Sequence, residues 1–491
     1  MPKIFESMRM TAPRYSAFDM SRMQKTSFNM GELTPTLFEE ILPGDHFKAS
    51  TEIMLRFAPM LAPVMHRVNV FMHYFFVPHR IVYNEWEDFI TGGKDGNAAP
   101  IFPTFPLAAQ VRDSRLADYL GIPNYTATSS TKRISQLPFR GYQLIWNEFF
   151  RDETLDNPID IHTATIDELV TLRTRCWEKD YFTSSLPFTQ RGAQVGIPID
   201  LEYKDISDVR LNTGGVPAQN TLFSNAIGEF GNTAGDRLRL ENLENLSLDF
   251  SINELRESSA LQRWLEKAAT GGYRYVEQLL SRFGVRSSDA RLQRPEYLGG
   301  GRQPLVISEV LNTTGTTEAP QGDMTGHGIS VGRTNSFEKH FEEHGYLFGI
   351  MSVLPRTAYQ QGIHKTWLRD DKFEFYQPEL ANLGEQAVQN IELYFNDSDD
   401  TYNDATFGYQ QRYAEYKHAQ SSVHGDFRTT LDFWTLSRIF STPPSLNSDF
   451  VNADPSNRIF AVTTEDTLWC QLFHKVHARR KMPYFAKPSL R

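Results

Sequence analysis

Lys475, Arg479, Arg480, Lys481, Lys487 and Arg491 place six cations in the eighteen residues from His474 to Arg491, where there is no acid. Lysine and arginine neutralise phosphates without reading bases. The neighbouring aromatics Phe473, Tyr484 and Phe485 offer flat faces on which unpaired bases can stack. A second basic stretch lies at the other end. Residues 1–30 carry Lys3, Arg9, Arg14, Arg22 and Lys25 against Glu6 and Asp19. The chain as a whole has a formal charge of −10, so removing the +6 and +3 of its ends leaves −19 for the rest. An acidic body with basic ends predicts one surface that meets a polyanion and another that does not. If all six tail charges release counterions from a single strand, the salt slope is about −4.

Other constellations offer less. Gly328-Ile329-Ser330-Val331-Gly332 matches the Gly-x-Ser-x-Gly pattern of a nucleophile elbow. That elbow needs a strand before it and a helix after it, and both flanks here read as Gly/Thr/Asn loop. Gly299-Gly300-Gly301-Arg302 lacks the Gly-Lys-Ser/Thr ending of a phosphate loop. Asp397, Asp399, Asp400, Asn403 and Asp404 partly imitate a calcium loop, without its mid-loop glycine and with Gly408 at the twelfth position. A solvated turn is the better reading, leaving Asp397, Asp399 and Asp400 as a weak metal candidate. His66, His73 and His79 read as satisfied strand histidines. Cys176 and Cys470 are too far apart in sequence for a zinc or redox motif and read as free, buried thiols. No catalytic residue and no cofactor are expected.

The elements that must position the basic ends follow from periodicity. Residues 1–30 are aperiodic and read as an extended basic arm. Phe47, Ala49, Thr51, Ile53, Leu55 and Phe57 alternate with polar residues, which predicts a half-buried strand. Val68–Val77 is apolar on both faces in its second half and predicts a central strand. Helical stripes recur at Val82–Ile90, stopped by Gly92-Gly93, and at Tyr142–Phe150. Residues 94–138 read as a long loop and 202–245 as a solvated insertion. A helical hairpin is expected over 251–284, opened by the capping box Ser251-x-x-Glu254. Short β-type runs follow at 304–311, 345–354, 390–395, 408–417, 429–436 and 458–463, separated by loops of which 312–336 is the longest. Residues 474–491 read as a basic C-terminal tail. Many short strands with long loops predict a mainly β sandwich or jelly roll. The longest apolar run, Val68 to Val77, is too short to span a bilayer, and Met1 to Glu6 has no apolar signal region.

Several stretches resemble the major capsid protein of the microviruses, small single-stranded DNA bacteriophages, closest to the gokushovirus branch. They are Leu137-PFRGYQLIWNEFFRD-Glu153, Arg175-CWEKDYFTSSLPFTQ-Arg191, Ser288-DARLQRPEYLGGG-Arg302, His344-GYLFGIMSVLPRTAYQQG-Ile363, Phe375-YQPELANLGEQAV-Gln389 and Phe407-GYQQRYAEY-Lys417. They are collinear and span most of the chain. The resemblance implies an eight-stranded antiparallel jelly roll with long insertions and a few short helices, as one capsid domain over 31–491. It implies self-assembly into a T=1-type icosahedral shell around circular single-stranded DNA, with residues 202–245 as a surface protrusion contributing to host attachment. Implied partners are an internal scaffolding protein, a DNA pilot protein, a small DNA-binding protein and a host cell-surface receptor, without membrane insertion. The implied location is the virion, assembled in the bacterial cytoplasm. The basic ends, with Tyr484 and Phe485, would then face the lumen. Two other classes compete on residues alone. A β-sandwich hydrolase would need an acid/base or metal constellation, and none stands up. A soluble single-stranded DNA-binding module would need one continuous basic and aromatic groove.

Overall fold

The computed structural model describes residues 14–123, 132–193, 195–196, 200–201, 248–249, 252–311, 324–333 and 336–485. Contacts divide the chain into two units, Gln190–Gly272 and the remainder.

The larger unit is built on ten antiparallel strands. They are β1 (Ser16–Asp19), β2 (Arg22–Phe28), β3 (Thr34–Ile41), β4 (His46–Phe57), β5 (Val68–Pro78), β6 (Glu296–Leu311), β7 (Met324–Arg333), β8 (Phe337–His340), β9 (Gly345–Pro355) and β10 (Leu468–Arg480). The path runs β1-β10-β4-β7-β6-β5-β9-β3, with β2 also on β10 and β8 also on β4. It curls into two layers because β6 belongs to both: residues 296–305 pair with β5 and 306–311 with β7. This eight-strand path is the expected antiparallel jelly roll.

Alternation explains the layers. The odd positions of β4 that were expected inside are buried, and they meet Val68, Val70, Met72, Tyr74 and Phe76 of β5 in one core. The other face of β5, with Phe75 and Val77, packs on a helical layer. That second face is why β5 reads as apolar throughout, and its pairing with both β6 and β9 makes it central as expected. In the helical layer, α1 (Trp86–Thr91) ends on Gly92 in the left-handed conformation. Helix α2 (Leu137–Ile145) continues into a π-helical turn, Trp146–Phe150. Tyr142 of α2 donates to the Leu33 carbonyl at 2.8 Å. A Cβ on Gly141 would stand 3.1 Å from Phe348, so the glycine lets α2 lie close on the sheet. The supposed loop 94–138 holds short helices at Ala109–Arg112 and Arg115–Tyr119 and a small strand pair, Thr104–Pro106 with Arg133–Ser135.

Further expectations change. Residues 324–333, assigned to a loop, form β7. Their glycines pack rather than bend: a Cβ on Gly326 would lie 2.4 Å from the Ala62 carbonyl oxygen, and one on Gly328 3.0 Å from the Phe57 ring. Three of the expected β-type runs are not strands. Asn390–Leu393 is a helical turn capped by Gln389 and Glu392, residues 429–436 hold the 3-10 turn Asp432–Trp434, and 458–463 forms no strand. Their apolar residues, such as Leu393, serve packing clusters rather than a ladder. The run at 408–417 splits into a strand Thr406–Gln411 and a turn Ala414–Lys417. Parts of the basic tail and arm are also sheet. Residues 474–480 finish β10, and β1 and β2 occupy most of the arm's second half.

The unit Gln190–Gly272 has the short pair Asp200–Leu201 with Leu248–Asp249 and the helix α3 (Ile252–Gly271). Arg191 donates to the Ala268 carbonyl at 3.1 Å. The insertion 202–245 and the capping serine Ser251 lie outside the described residues. The second helix of the expected hairpin is α4 (Tyr275–Phe283) in the larger unit.

Gly345 offers a test of the sheet packing. A Cβ there would stand 2.5 Å from both the Phe76 ring and the Val77 carbonyl oxygen. Gly345→Ala is expected to cost about 1–3 kcal/mol by overpacking. A lower urea midpoint with unchanged slope checks this.

Candidate nucleic-acid interface

Strand β10 collects the basic residues because it lies between β4 and the two short strands β1 and β2. Its buried positions Leu468, Cys470, Leu472, His474, Val476 and Ala478 alternate with Trp469, Gln471, Phe473, Lys475, His477 and Arg479. The second set forms the outward face of the first sheet, made of β1, β2, β10, β4, β8, β7 and the end of β6, the second sheet being the start of β6 with β5, β9 and β3. Register places Lys25 and Met54 beside Gln471, Met23 and Glu52 beside Phe473, and Arg56 beside Trp469. On the next strand Val331 lies beside Met54 and Arg333 beside Glu52. One face therefore carries Lys25, Lys48, Arg56, Arg333, Lys475 and Arg479 against Asp19, Glu52 and Glu338. Trp469 is 48 % exposed, with its ring N–H held by the Asp466 carbonyl at 3.0 Å.

The charges on this face are unevenly engaged. Lys475 pairs with Glu52 at 2.5 Å and Lys48 with Glu338 at 3.3 Å, both at the surface where such pairs are worth little. Arg333 donates to the Ser50 hydroxyl at 3.1 Å. Arg479 and Lys481 both lie over the Tyr15 ring, at 5.6 and 5.5 Å. Because Ser16 stands opposite Arg480, the exposed Arg14 and the segment after Arg480 leave the sheet at the same end. There Tyr484 stacks on Phe18 at 5.5 Å, and both Tyr484 and Phe485 are exposed.

Arg480 is a correction. Its Nε is 3.3 Å from the buried Asp45 carboxylate, Nη2 donates to the Glu40 carbonyl at 2.6 Å, and the guanidinium lies over Phe47. It closes the sandwich edge instead of joining the outward set. Lys3, Arg9, Lys487 and Arg491 lie outside the described residues. Of the expected residues, the fold brings together Lys475, Arg479, Lys481, Arg14, Tyr484 and Phe485. Lys25, counted in the basic arm, joins them on this face, and the residues missed from sequence are Lys48, Arg56, Arg333 and Trp469. The two-residue alternation of 468–479 carried the signal that would have found Trp469.

The remaining motifs have structural uses. Ser330 is buried on β7, donates to the Pro304 carbonyl at 3.0 Å and accepts from Gln303 at 2.8 Å. It sits on no elbow. A Cβ on Gly300 would lie 2.6 Å from the Met72 carbonyl oxygen, so that glycine allows close strand approach. Asp399 caps the turn Asp400–Asp404 by accepting from the Tyr402 amide at 3.0 Å. Among the described residues, no group of three or more His, Cys, Asp or Glu is placed to hold a metal ion. His66 contacts the Arg356 carbonyl at 2.5 Å and His73 the Tyr297 hydroxyl at 3.2 Å. Cys176 and Cys470 are free, and burial pushes both thiols up to about 12. Among the described residues, no helix is long and apolar enough to cross a membrane.

A jelly roll with one sheet clothed by helices and, among the described residues, the other open and basic fits the virus-shell class, one of several that share this fold. Comparison with known proteins agrees. A family model described as capsid protein (F protein) matches residues 7–490, and the chain belongs to this family of phage capsid proteins. It is 32 % identical to capsid protein VP1 of Chlamydia phage 1, over 97 % of this chain and 96 % of that one. It is 35 % identical to capsid protein VP1 of Bdellovibrio phage phiMH2K, over 92 % and 90 % of the two chains. Capsid protein VP1 of Spiroplasma virus 4 is 30 % identical, over 95 % and 93 %. The resemblance to microvirus capsid proteins holds over most of the chain, and the role is structural.

Proposed function

We propose that this chain is the repeating subunit of a small T=1-type shell, and that the outward face of β10 and its neighbours lines the lumen against circular single-stranded DNA. The observation that carries this reading is the composition of that face: six lysines and arginines, three carboxylates, and the rings of Trp469 and Phe473. Cations hold the phosphates, and the rings stack on bases without sequence preference. A symmetric shell repeats this patch on every subunit, so a modest affinity per copy sums over the genome. Host attachment is assigned to the insertion 202–245. Scaffolding, pilot and small DNA-binding proteins complete the set of partners, with assembly in the host cytoplasm.

The test is binding of a single-stranded oligonucleotide to the full-length subunit across a salt series, read by fluorescence anisotropy. Each lost phosphate contact lowers the salt slope by about 0.7. Lys25→Ala/Arg56→Ala/Arg479→Ala is expected to lower it by about 2. Arg480→Ala is expected to leave it unchanged. An unaltered slope in the triple variant would sink the assignment of this face.

A further inference from the structure

A second concentration of arginine lies away from the β10 face. Arg67 precedes β5, Arg356 follows β9, and Arg302 lies on β6. Antiparallel pairing puts the start of β5 beside the end of β9, with Val68 opposite both Pro355 and Leu305. The three arginines therefore line one cavity of about 520 Å³ at the end of the second sheet. Arg356 shares its charge with Glu178 at 3.4 Å. Arg67 and Arg302 have no side-chain hydrogen bond or ion pair to any described residue. His66 adds no charge at neutral pH, because burial lowers its pKa. The cavity continues into a neighbour of about 690 Å³ lined by Met65 and Ile307, where Met65 is 68 % exposed. The arginine cavity is otherwise lined mostly by polar residues such as Asn69, Ser421 and Thr435, and its neighbour adds Pro63, Val64 and one carboxylate, Glu309; exposed arginine and methionine side by side are enriched in protein interfaces.

The chain carries a matching surface. The Asp399 carboxylate is used as a helix cap, whereas Asp397, Asp400 and Asp404 are exposed on the same turn and pair with no described residue. These three exposed carboxylates are opposite in sign to the cavity's arginines, two of which have no ion pair among the described residues, and carboxylate–guanidinium pairing is the one arginine geometry favours. We infer that the cavity of Arg67, Arg302 and Arg356 receives the Asp397–Asp404 turn of a second copy of this chain. The contact is heterologous, with cavity and turn on different parts of the surface, so it generates a ring when the rotation closes. The inference rests on the reading of the chain as a self-assembling subunit. A nucleic-acid occupant is less favoured, because the cavity belongs to the second sheet and the basic face to the first.

Charge exchange tests it. The full chain is expressed with its neighbouring viral genes, and particles are measured by sedimentation as a fraction of soluble capsid protein. Arg67→Glu/Arg302→Glu is expected to lower particle yield at least tenfold, and Asp397→Lys/Asp400→Lys to do the same. All four changes together should restore yield to within threefold of wild type. Circular dichroism and thermal unfolding of the soluble subunits serve as the folding control. Normal yield in the arginine variant, or no recovery in the fourfold variant with folded subunits, overturns the inference. Normal particles with weakened oligonucleotide binding would assign the cavity to nucleic acid and overturn it as well. A wild-type chain that forms no particles would instead refute the shell reading on which the inference stands.

Discussion

Lowering the pH of the isolated subunit from 7 to about 4 is expected to remove several kcal/mol of stability, with the half-buried His73, also held down to about 4, adding to the principal sources, the fully buried His79 and His474. Both side chains are buried, and burial pushes each imidazole down to about 4. His79 lies edge-on between the rings of Trp86 and Tyr346. His474 sits in the sandwich core, where Nδ1 is 2.9 Å from the Thr51 hydroxyl, which also accepts from Tyr74 at 2.7 Å. An unfolded histidine binds its proton near 6.5. Between 6.5 and 4 the unfolded chain therefore holds protons that the folded chain refuses, and stability falls as pH falls. At about 1.4 kcal/mol per unit, each site costs about 3 kcal/mol by pH 4. Glu32, Asp45 and Glu392 work in the opposite sense, because burial raises their pKa values and the folded state takes up protons first. Asp152 and Glu415, held below their ordinary values, add to the histidines at the acid end, so the net slope is the balance of the two sets. His474→Gln isolates one contribution: its urea midpoint should vary less between pH 7 and 4.5 than that of wild type. Equal pH dependence in the two proteins would refute the assignment.

Glu415→Gln is expected to cost about 3–5 kcal/mol at neutral pH, the penalty for leaving a buried charge without its partner. The side chains of Arg369 and Glu415 are 5 % and 3 % exposed and meet at 2.8 Å. Gln386 donates to the other carboxylate oxygen at 2.6 Å, and the Arg369 guanidinium lies 4.5 Å from the centre of the Tyr416 ring. Desolvation acts to raise the Glu415 pKa, and the hydrogen bonds and Arg369 outweigh it, so the carboxyl is held below its ordinary value. Its contribution is present above the unfolded value of about 4.3 and is lost as pH falls through the lowered folded value. The gap between wild type and Glu415→Gln should therefore close in acid. Arg369→Met/Glu415→Met removes both charges and should recover most of the loss. Urea midpoints of the three proteins at pH 7 and through an acid series continuing below pH 4 check all of this.

Strong alternation was legible in the sequence, and weak or interrupted alternation was not. Strands β4 and β5 were placed from Phe47–Phe57 and Val68–Val77 because large apolar residues mark their buried faces. Strand β7 was hidden because its inward positions are Gly326, Gly328 and Ser330, which close packing requires and which resemble loop residues. The end of β10 was hidden because its charges drew attention from the small residues between them. Arg479 and Arg480 look equivalent in sequence, and pairing alone sends one outward and the other to Asp45. Lys25, Arg56 and Arg333 are far apart in the chain, so only strand register could unite them with Lys475. Trp469 lies outside the segment richest in charge, and its place on the face follows from the pleat.

The pairing of β10 also sets a clock. Among the described residues, strands β1 and β2 find their ladder only on β10, and β10 is the last of the ten strands in chain order. The partners Ser16 and Arg480 are separated by almost the whole length of the chain. During translation the first strands must therefore wait, unpaired, for the last one to emerge. One edge of β4 waits with them. A chain released early, before residue 468, lacks the strand that would hold the first sheet together and carries no part of the Trp469–Arg479 face. Closure of the first sheet and display of its basic face thus depend on the same thirteen residues.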